Sequence, residues 1–149
     1  LYTSKPAADG IASIAVNGAA ITPPVEKGYA VLTRTWKAGD KIDLVLPMKV
    51  QRVKGSDKIA ATAGQVALRY GPLMYTVESI DQDIASTLGG DAALTAEWRG
   101  DFLDGVMVIK GKWSDGKPLL AIPYSARNNR TAEPAKGPNR GSSVWIKDQ

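Results

Sequence analysis

Between Gly64 and Tyr75 the chain reads Gly-Gln-Val-Ala-Leu-Arg-Tyr-Gly-Pro-Leu-Met-Tyr. Val66, Leu68 and Tyr70 alternate with Gln65, Ala67 and Arg69, the period-2 pattern of a strand with one buried face. Beyond Gly71-Pro72 the apolar positions are Leu73, Tyr75 and Val77, so the parity moves from even to odd. A one-residue shift of register exchanges the two faces of a strand, so the backbone has to bend or bulge at Gly71-Pro72. Pro72 has no N–H and biases Gly71 toward extended geometry. The expectation is a hinge strand that turns a corner between two packed sheets of an all-β fold.

The rest of the chain fits that class. Residues 1–10 read as a linker or a frayed edge. Ile11–Val16 and Ala19–Thr22 flank Asn17-Gly18, the strongest two-residue hairpin signal, because both central residues of a type I′ turn need positive φ. Gly28–Trp36 is rich in β-branched and aromatic residues and reads as a strand. Lys41–Leu46 alternates with Ile42, Leu44 and Leu46 inward, and the same parity continues through Met48 to about Val53. Ser79–Ala93 is the clearest break, with one helical turn at Ile84–Leu88. Leu94–Trp98, Val106–Trp113, Lys117–Tyr124 and Ser142–Ile146 are further strands, with a hairpin loop at Ser114-Asp115-Gly116. Leu120, Ile122 and Tyr124 are expected to share a face. At least eight short strands and no long 3.6-period segment predict an antiparallel, jelly-roll-like β-sandwich, or two small packed sandwiches. The expected organisation is a first sandwich part at 11–80, a connecting loop at 81–93 and a second part at 94–149.

Composition removes whole classes of chemistry. The 149 residues contain no cysteine and no histidine, so neither a thiolate nucleophile nor a zinc site built on those ligands is available. The lack of cysteine fits cytoplasm and periplasm equally well and assigns no compartment among periplasmic, secreted and cytoplasmic. Of the formal charge of +4, three units lie in residues 125–149, which carry Arg127, Arg130, Lys136, Arg140 and Lys147 against Glu133 and Asp148. No nucleic-acid motif accompanies this tail, so it reads as a solvated basic loop. No apolar run approaches the ~18 residues of a membrane helix, and there is no signal-peptide pattern. The start at Leu1-Tyr2 reads as that of a segment of a longer protein.

Candidate chemistry is sparse. Glu78 with Asp81 and Asp83, and Glu97 with Asp101 and Asp104, are the only carboxylate groupings a glycosidase could use, and both read as solvated turn acids. Asp81-Gln82-Asp83 begins like a calcium loop that Ala85 and Ser86 break. Asn129-Arg130-Thr131 is a lone glycosylation sequon. Trp36, Trp113 and Trp145 sit in or beside strands and are expected to pack. Trp98, beside Arg99-Gly100-Asp101, is the ring expected at the surface, and aromatic faces stack on sugars. Trp98, Tyr124, Arg127 and Arg130 form the candidate carbohydrate-binding set; no catalytic and no metal residue is assigned.

An ordered set of motifs carries a resemblance. Val16-Asn17-Gly18, Gly28-Tyr29, Arg34-Thr35-Trp36-Lys37-Ala38-Gly39-Asp40, Leu46-Pro47-Met48 and Arg52-Val53 come first. Val66–Tyr75, Glu78, Ile122-Pro123-Tyr124, Asn129-Arg130 and Val144-Trp145-Ile146 follow. Over residues 12–147 the chain resembles the C-terminal β-sandwich region of glycoside hydrolase family 127 (DUF1680), the β-L-arabinofuranosidase-like group. The resemblance implies an (α/α)6 barrel ahead of this region that carries catalysis on a zinc-bound cysteine, assisted by glutamates and histidines. None of those residues has a counterpart in this chain. Thr131–Gly141 lengthens the segment that relatives run from the Ile-Pro-Tyr motif into the Val-Trp strand.

Three readings stay open at this point. The first is a non-catalytic accessory fragment, not an enzyme by itself, that packs on the barrel and needs no cofactor. The second is a carbohydrate-binding module, and the third an oligomerisation domain with a homodimer contact. Neither nucleic acid nor a membrane is an expected partner.

Overall fold

The computed structural model describes residues 1–8, 10–130 and 141–149. Thr131–Arg140, the heart of the lengthened tail segment, lies outside the described residues. Strands and short 3-10 turns make up the described secondary structure. In order these strands are β1 (Tyr2–Lys5), β2 (Ser13–Val16), β3 (Ala19–Ile21), β4 (Val25–Glu26), β5 (Tyr29–Ala30), β6 (Ile42–Val45), β7 (Val50–Gly55) and β8 (Gln65–Tyr70). Then come β9 (Leu73–Glu78), β10 (Thr87–Leu88), β11 (Thr95–Arg99), β12 (Val106–Lys112), β13 (Pro118–Pro123), β14 (Ser142–Ser143) and β15 (Trp145–Asp148). The fold is all-β and sandwich-like, as the alternation predicts. No helix among the described residues is long and apolar enough to cross a membrane.

Two compact units share the chain: Leu1–Ala8 with Met48–Gln149, and Asp9–Pro47. They divide at Pro47, not within residues 81–93, which run inside the larger unit between strands of one sheet. The predicted continuous strand from Lys41 to Val53 is two strands, β6 and β7, one in each unit.

In the Asp9–Pro47 unit, β2 and β3 form the expected hairpin, with Asn17 and Gly18 at φ 53° and 78°. The sheet order is β3-β2-β6, and β4 and β5 make a separate two-stranded hairpin. The rest of the predicted strand to Trp36 is irregular. Asn17 Nδ2 donates to Asp40 Oδ1 at 2.8 Å, and Lys41 N donates back to Asn17 Oδ1 at 2.8 Å. The Asn17 amide, and after it the Lys37 N–H, hold the Asp40 carboxyl below its ordinary value. Ile42 and Leu44 are expected to face inward, but both are half exposed. Trp36, expected to pack, is exposed with Arg34 stacked 5.1 Å from its ring centroid.

The larger unit is built on a path β1-β7-β8-β9-β13-β12-β11. Residues 2–5, read from the sequence as frayed, pair along their length with β7. The corner at Gly71-Pro72 is a hairpin turn. Arg69 pairs with Met74 and Tyr70 with Leu73, leaving Gly71 and Pro72 as a two-residue loop. Paired residues share a face, so a two-residue loop itself carries the inward set from even to odd positions. Gly71 takes φ +57°, and a Cβ there would lie 2.5 Å from Met48 Cε.

Beyond these two pairs β8 and β9 separate. β15 pairs with β8 at Gln65–Ala67, and β14 pairs with β9 at Val77 and Glu78. The C-terminal segment thus fills the fork that the hairpin opens. Each half of the hairpin therefore leads into a different set of strands, but both sets belong to one sheet, where the sequence predicts a single hinge strand between two packed sheets. β10, in place of a helical turn, adds a short parallel pair to β15. Val66 and Leu68, Tyr75 and Val77, Ile109, Trp113, Leu119, Ala121 and Ile146 meet in one core. Along β13 the odd-numbered Leu119 and Ala121 supply that core, whereas Tyr124, grouped with Leu120 and Ile122 by parity, is exposed. Tyr75 crosses the sheet, its hydroxyl donating to the Met107 carbonyl at 3.0 Å. Burial, and then the neighbouring Tyr70, push its pKa up to about 12.

Gly71→Val should lower stability by roughly 1–3 kcal/mol, since it puts a β-branched residue at positive φ. Urea unfolding of the two chains checks this, and an unchanged midpoint would mean that the turn tolerates a side chain.

Candidate functional site

Two loops of the larger unit bring the sequence-predicted residues into one neighbourhood. The first joins β11 to β12. It needs three consecutive left-handed residues, Leu103, Asp104 and Gly105, at φ 50°, 59° and 98°. Trp98 pairs with Met107 at the base of this loop and is 62% exposed. Its ring lies against the Gly105 backbone, where a Cβ would come within 2.6 Å of the indole. The missing side chain at Gly105 lets the indole lie against the loop while most of it meets solvent.

The second loop begins with the 3-10 turn Tyr124–Ala126 after β13. Tyr124 is exposed, and the Arg127 guanidinium stacks 4.5 Å from its ring centroid. A cleft of about 490 Å³ lies between the two loops, lined by Leu103, Asp104, Ser125, Ala126 and Asn129. Trp98, Tyr124 and Arg127 therefore sit on or beside the cleft-forming loops, as surface groups.

Arg130 has a different place. Its side chain is buried, and its donors are committed to two carboxylates. Nε donates to Glu78 Oε2 at 2.9 Å and Nη1 to Asp81 Oδ1 at 2.8 Å, and Nη2 reaches both acids. Asn128 N donates to Glu78 Oε1 at 2.6 Å, and Phe102 of the first loop lies under the guanidinium at 5.0 Å. Burial works against the Arg130 charge, but hydrogen bonds to Asp81 and Glu78 outweigh it and hold its pKa above the ordinary value. Arg130 ties the two loops to the end of β9, and its donors face those acids, not the cleft.

The same cluster corrects the reading of the acids. Glu78, taken as a solvated turn acid, is buried to 1% exposure, and Asp81 is nearly so. Glu78 and Asn129-Arg130 both stand in the motif set that carries the resemblance. Sequence alternation, however, has no means of pairing residues about fifty positions apart. Gln82 does structural work as well, donating from Nε2 to the Leu120 carbonyl and accepting from Leu120 N.

In the second group Glu97 and Asp101 are paired too. Lys110 Nζ donates to Glu97 at 2.7 Å, and Arg99 forks onto Asp101 at 2.9 and 2.8 Å. The Arg99 hydrogen bonds pull the Asp101 carboxyl down to about 2. Among the described residues no group of three or more His, Cys, Asp or Glu is arranged to hold a metal ion. The exposed rings and the polar cleft can offer stacking and hydrogen bonds. Among the described residues they contain no activated nucleophile–base pair.

Comparison with known proteins decides what this unit is. Residues 50–147 match the family model described as the glycoside hydrolase family 127 C-terminal domain. Residues 5–48 match that of the β-L-arabinofuranosidase GH127 middle domain. The chain belongs to glycoside hydrolase family 127. The two GH127 matches meet within a few residues of the point where the compact units divide.

Over 110 residues the chain is 31% identical to a non-reducing end β-L-arabinofuranosidase of Bifidobacterium longum subsp. longum, covering 67% of this chain and 16% of that protein. A GH127 β-L-arabinofuranosidase from Geobacillus stearothermophilus T6 superposes with a TM-score of 0.80 at 32% identity. The superposition covers 95% of this chain and 25% of that one. A second GH127 structure, a β-arabinofuranosidase, gives a TM-score of 0.83 at 26% identity over 100% of this chain and 25% of its own. The chain thus corresponds to the middle and C-terminal domains of GH127 proteins and spans a quarter or less of these relatives.

Arg130→Ala should destabilise the chain by roughly 3–5 kcal/mol, because it removes the cation that forks onto the buried Glu78 and onto Asp81. Arg130→Lys should recover part of the loss, a point charge being unable to fork onto both acids. Urea unfolding reads both variants, and a loss below about 1 kcal/mol for the alanine would deny the cluster its anchoring role. For Asp101 the folded value lies below the ordinary carboxylate value of about 3.9. The contribution of the Arg99 fork is therefore fully present above that value and lost as pH falls toward about 2. A carboxyl NMR titration should give Asp101 a midpoint near 2, and Arg99→Ala should return it to the ordinary range.

Proposed function

We propose that this chain is the non-catalytic middle and C-terminal part of a β-L-arabinofuranosidase-like GH127 hydrolase, carried beside an (α/α)6 catalytic barrel. The observation that carries the reading is the conjunction of two family matches with a residue inventory. The matches together run from residue 5 to 147, and the sequence contains no cysteine or histidine. The zinc-bound cysteine centre that the resemblance implies cannot be built from these side chains, so the bond-breaking groups belong to the rest of the parent protein. No cofactor is assigned to this chain.

Its acids support the same division of labour. Glu78, Asp81, Glu97, Asp101 and Asp148 are each bound to a lysine or arginine, so they neutralise structural cations. A glycosidase working through carboxylates would need two of them free to face each other across the scissile bond. A free-standing carbohydrate-binding module and an oligomerisation domain gain no support from matches that are to domains of GH127 proteins.

The chain alone should release no arabinose from a chromogenic β-L-arabinofuranoside, and the parent protein should release it. Turnover by the purified chain, free of host glycosidase, would overturn the non-catalytic assignment. An inactive but folded parent would overturn the substrate class.

A further inference from the structure

The Asp9–Pro47 unit ends on an edge strand that nothing in the unit protects. In β2–β6 the Asn17 N–H donates to the Lys41 carbonyl at 2.9 Å, and the register pairs Val16 with Ile42, Ala15 with Asp43 and Ile14 with Leu44. Hydrogen-bonded and non-hydrogen-bonded pairs alternate along an antiparallel ladder. Asn17 and Lys41 form a hydrogen-bonded site, so Ile42 and Leu44 fall in non-hydrogen-bonded sites. Their N–H and C=O groups point away from β2, toward the outer edge.

The side chains along this edge are apolar on both faces. Ile42, Leu44, Val45 and Leu46 are 48%, 50%, 52% and 51% exposed. Its charges, Lys41 and Asp43, bind each other at 3.3 Å. Natural sheets blunt open edges with charge, proline or bulges, because a flat apolar edge recruits further strands. The unit also falls below the roughly 40 residues under which a lone core seldom suffices. Ile14 and Val16 are its buried apolar side chains among the described residues.

We infer that the outer edge of β6 is a pairing edge, completed in the parent protein by one further β-strand from the portion that lies ahead of the middle-domain match. This rests on the reading of the chain as part of a larger enzyme. The strand would extend the order β3-β2-β6 by one, take up the outward groups of Ile42 and Leu44, and lay apolar side chains beside Ile42 and Leu44 on one face and Val45 on the other. The matched domain is described as a middle domain, the C-terminal domain already follows it, and the chain spans 16–25% of its relatives. The bulk of a parent of that length therefore precedes these residues.

Amide exchange of Ile42 and Leu44, measured in the parent and in the 149-residue chain, tests the pairing. Both amides should exchange at least about 100-fold more slowly in the parent. Equal rates would overturn the inference. Protection in the 149-residue chain together with a doubled mass by light scattering would make a second copy the occupant and overturn it too. Leu44→Pro removes only an outward N–H, so unfolding of the Met48–Gln149 region should be unchanged in the short chain, while protection of Ile42 is lost in the parent. Leu44→Lys serves as the second variant should the proline parent fail to fold, and there protection should fall without vanishing. Full protection of Ile42 in the folded variants would overturn the inference. A parent that protects both amides yet hydrolyses no β-L-arabinofuranoside would keep the pairing and discard the enzymatic reading.

Discussion

Every buried peptide group has to be paired, and the fork between β8 and β9 is where this requirement shapes the larger unit. The hairpin holds together for two residue pairs and then opens. Once open, each strand presents a row of unmatched N–H and C=O groups next to a full apolar core. Closing the hairpin all the way would satisfy them, but would leave the C-terminal segment no place in the sheet. The C-terminal segment resolves the conflict by pairing first with β9 and then with β8. A peptide break or an end-of-chain deletion here would remove ladder bonds from both halves at once.

Charge follows from this geometry. β9 ends inside the fork, so Glu78 is carried into the interior, and a buried carboxylate is tolerable only when paired. Arg130 and the Asn128 N–H meet it from a loop that would otherwise have no reason to lie there. On the other side of the fork Asp148 is nearly buried and takes Arg52 at 2.9 Å and Lys54 at 2.6 Å. Arg52 then donates to the carbonyls of Gly89 and Ala92, and Arg69 donates to the buried Gln51. The loop read as a domain break is thus clamped to β7 by a side chain from the strand's interior. Buried ion pairs of this kind add little net stability over an apolar core, but they are costly to break and admit few alternative registers.

How much of this was legible depended on range. Local chemistry was: Asn17-Gly18 forms its hairpin, the strands alternate, and Trp98 is exposed while Trp113 is buried. The parity switch at Gly71-Pro72 was a true signal with two physical solutions, because a bend and a two-residue hairpin both move the inward set by one. Pro72 favoured neither, since it fits the second position of a tight turn as readily as a strand break. Long-range pairing was not legible. Nothing in residues 1–10 announces a strand, because β1 owes its order to β7, fifty residues away. Arg130 looked like a ligand-binding cation for the same reason: its partners lie at Glu78 and Asp81, beyond the reach of any pattern.

The failure at β6 is of another kind and says more. Ile42 and Leu44 alternate as an inward face should, and the structure leaves both half exposed. In the larger unit the same alternation, at Val66 and Leu68, leads to complete burial. Between these two strands what differs is the supply of neighbours. Alternation records the surroundings in which a strand is meant to sit, and one with apolar residues on both faces and an open edge is written for a sheet interior. The sequence of the Asp9–Pro47 unit describes a larger sheet than these residues can build, whereas that of the larger unit describes one that its own strands complete.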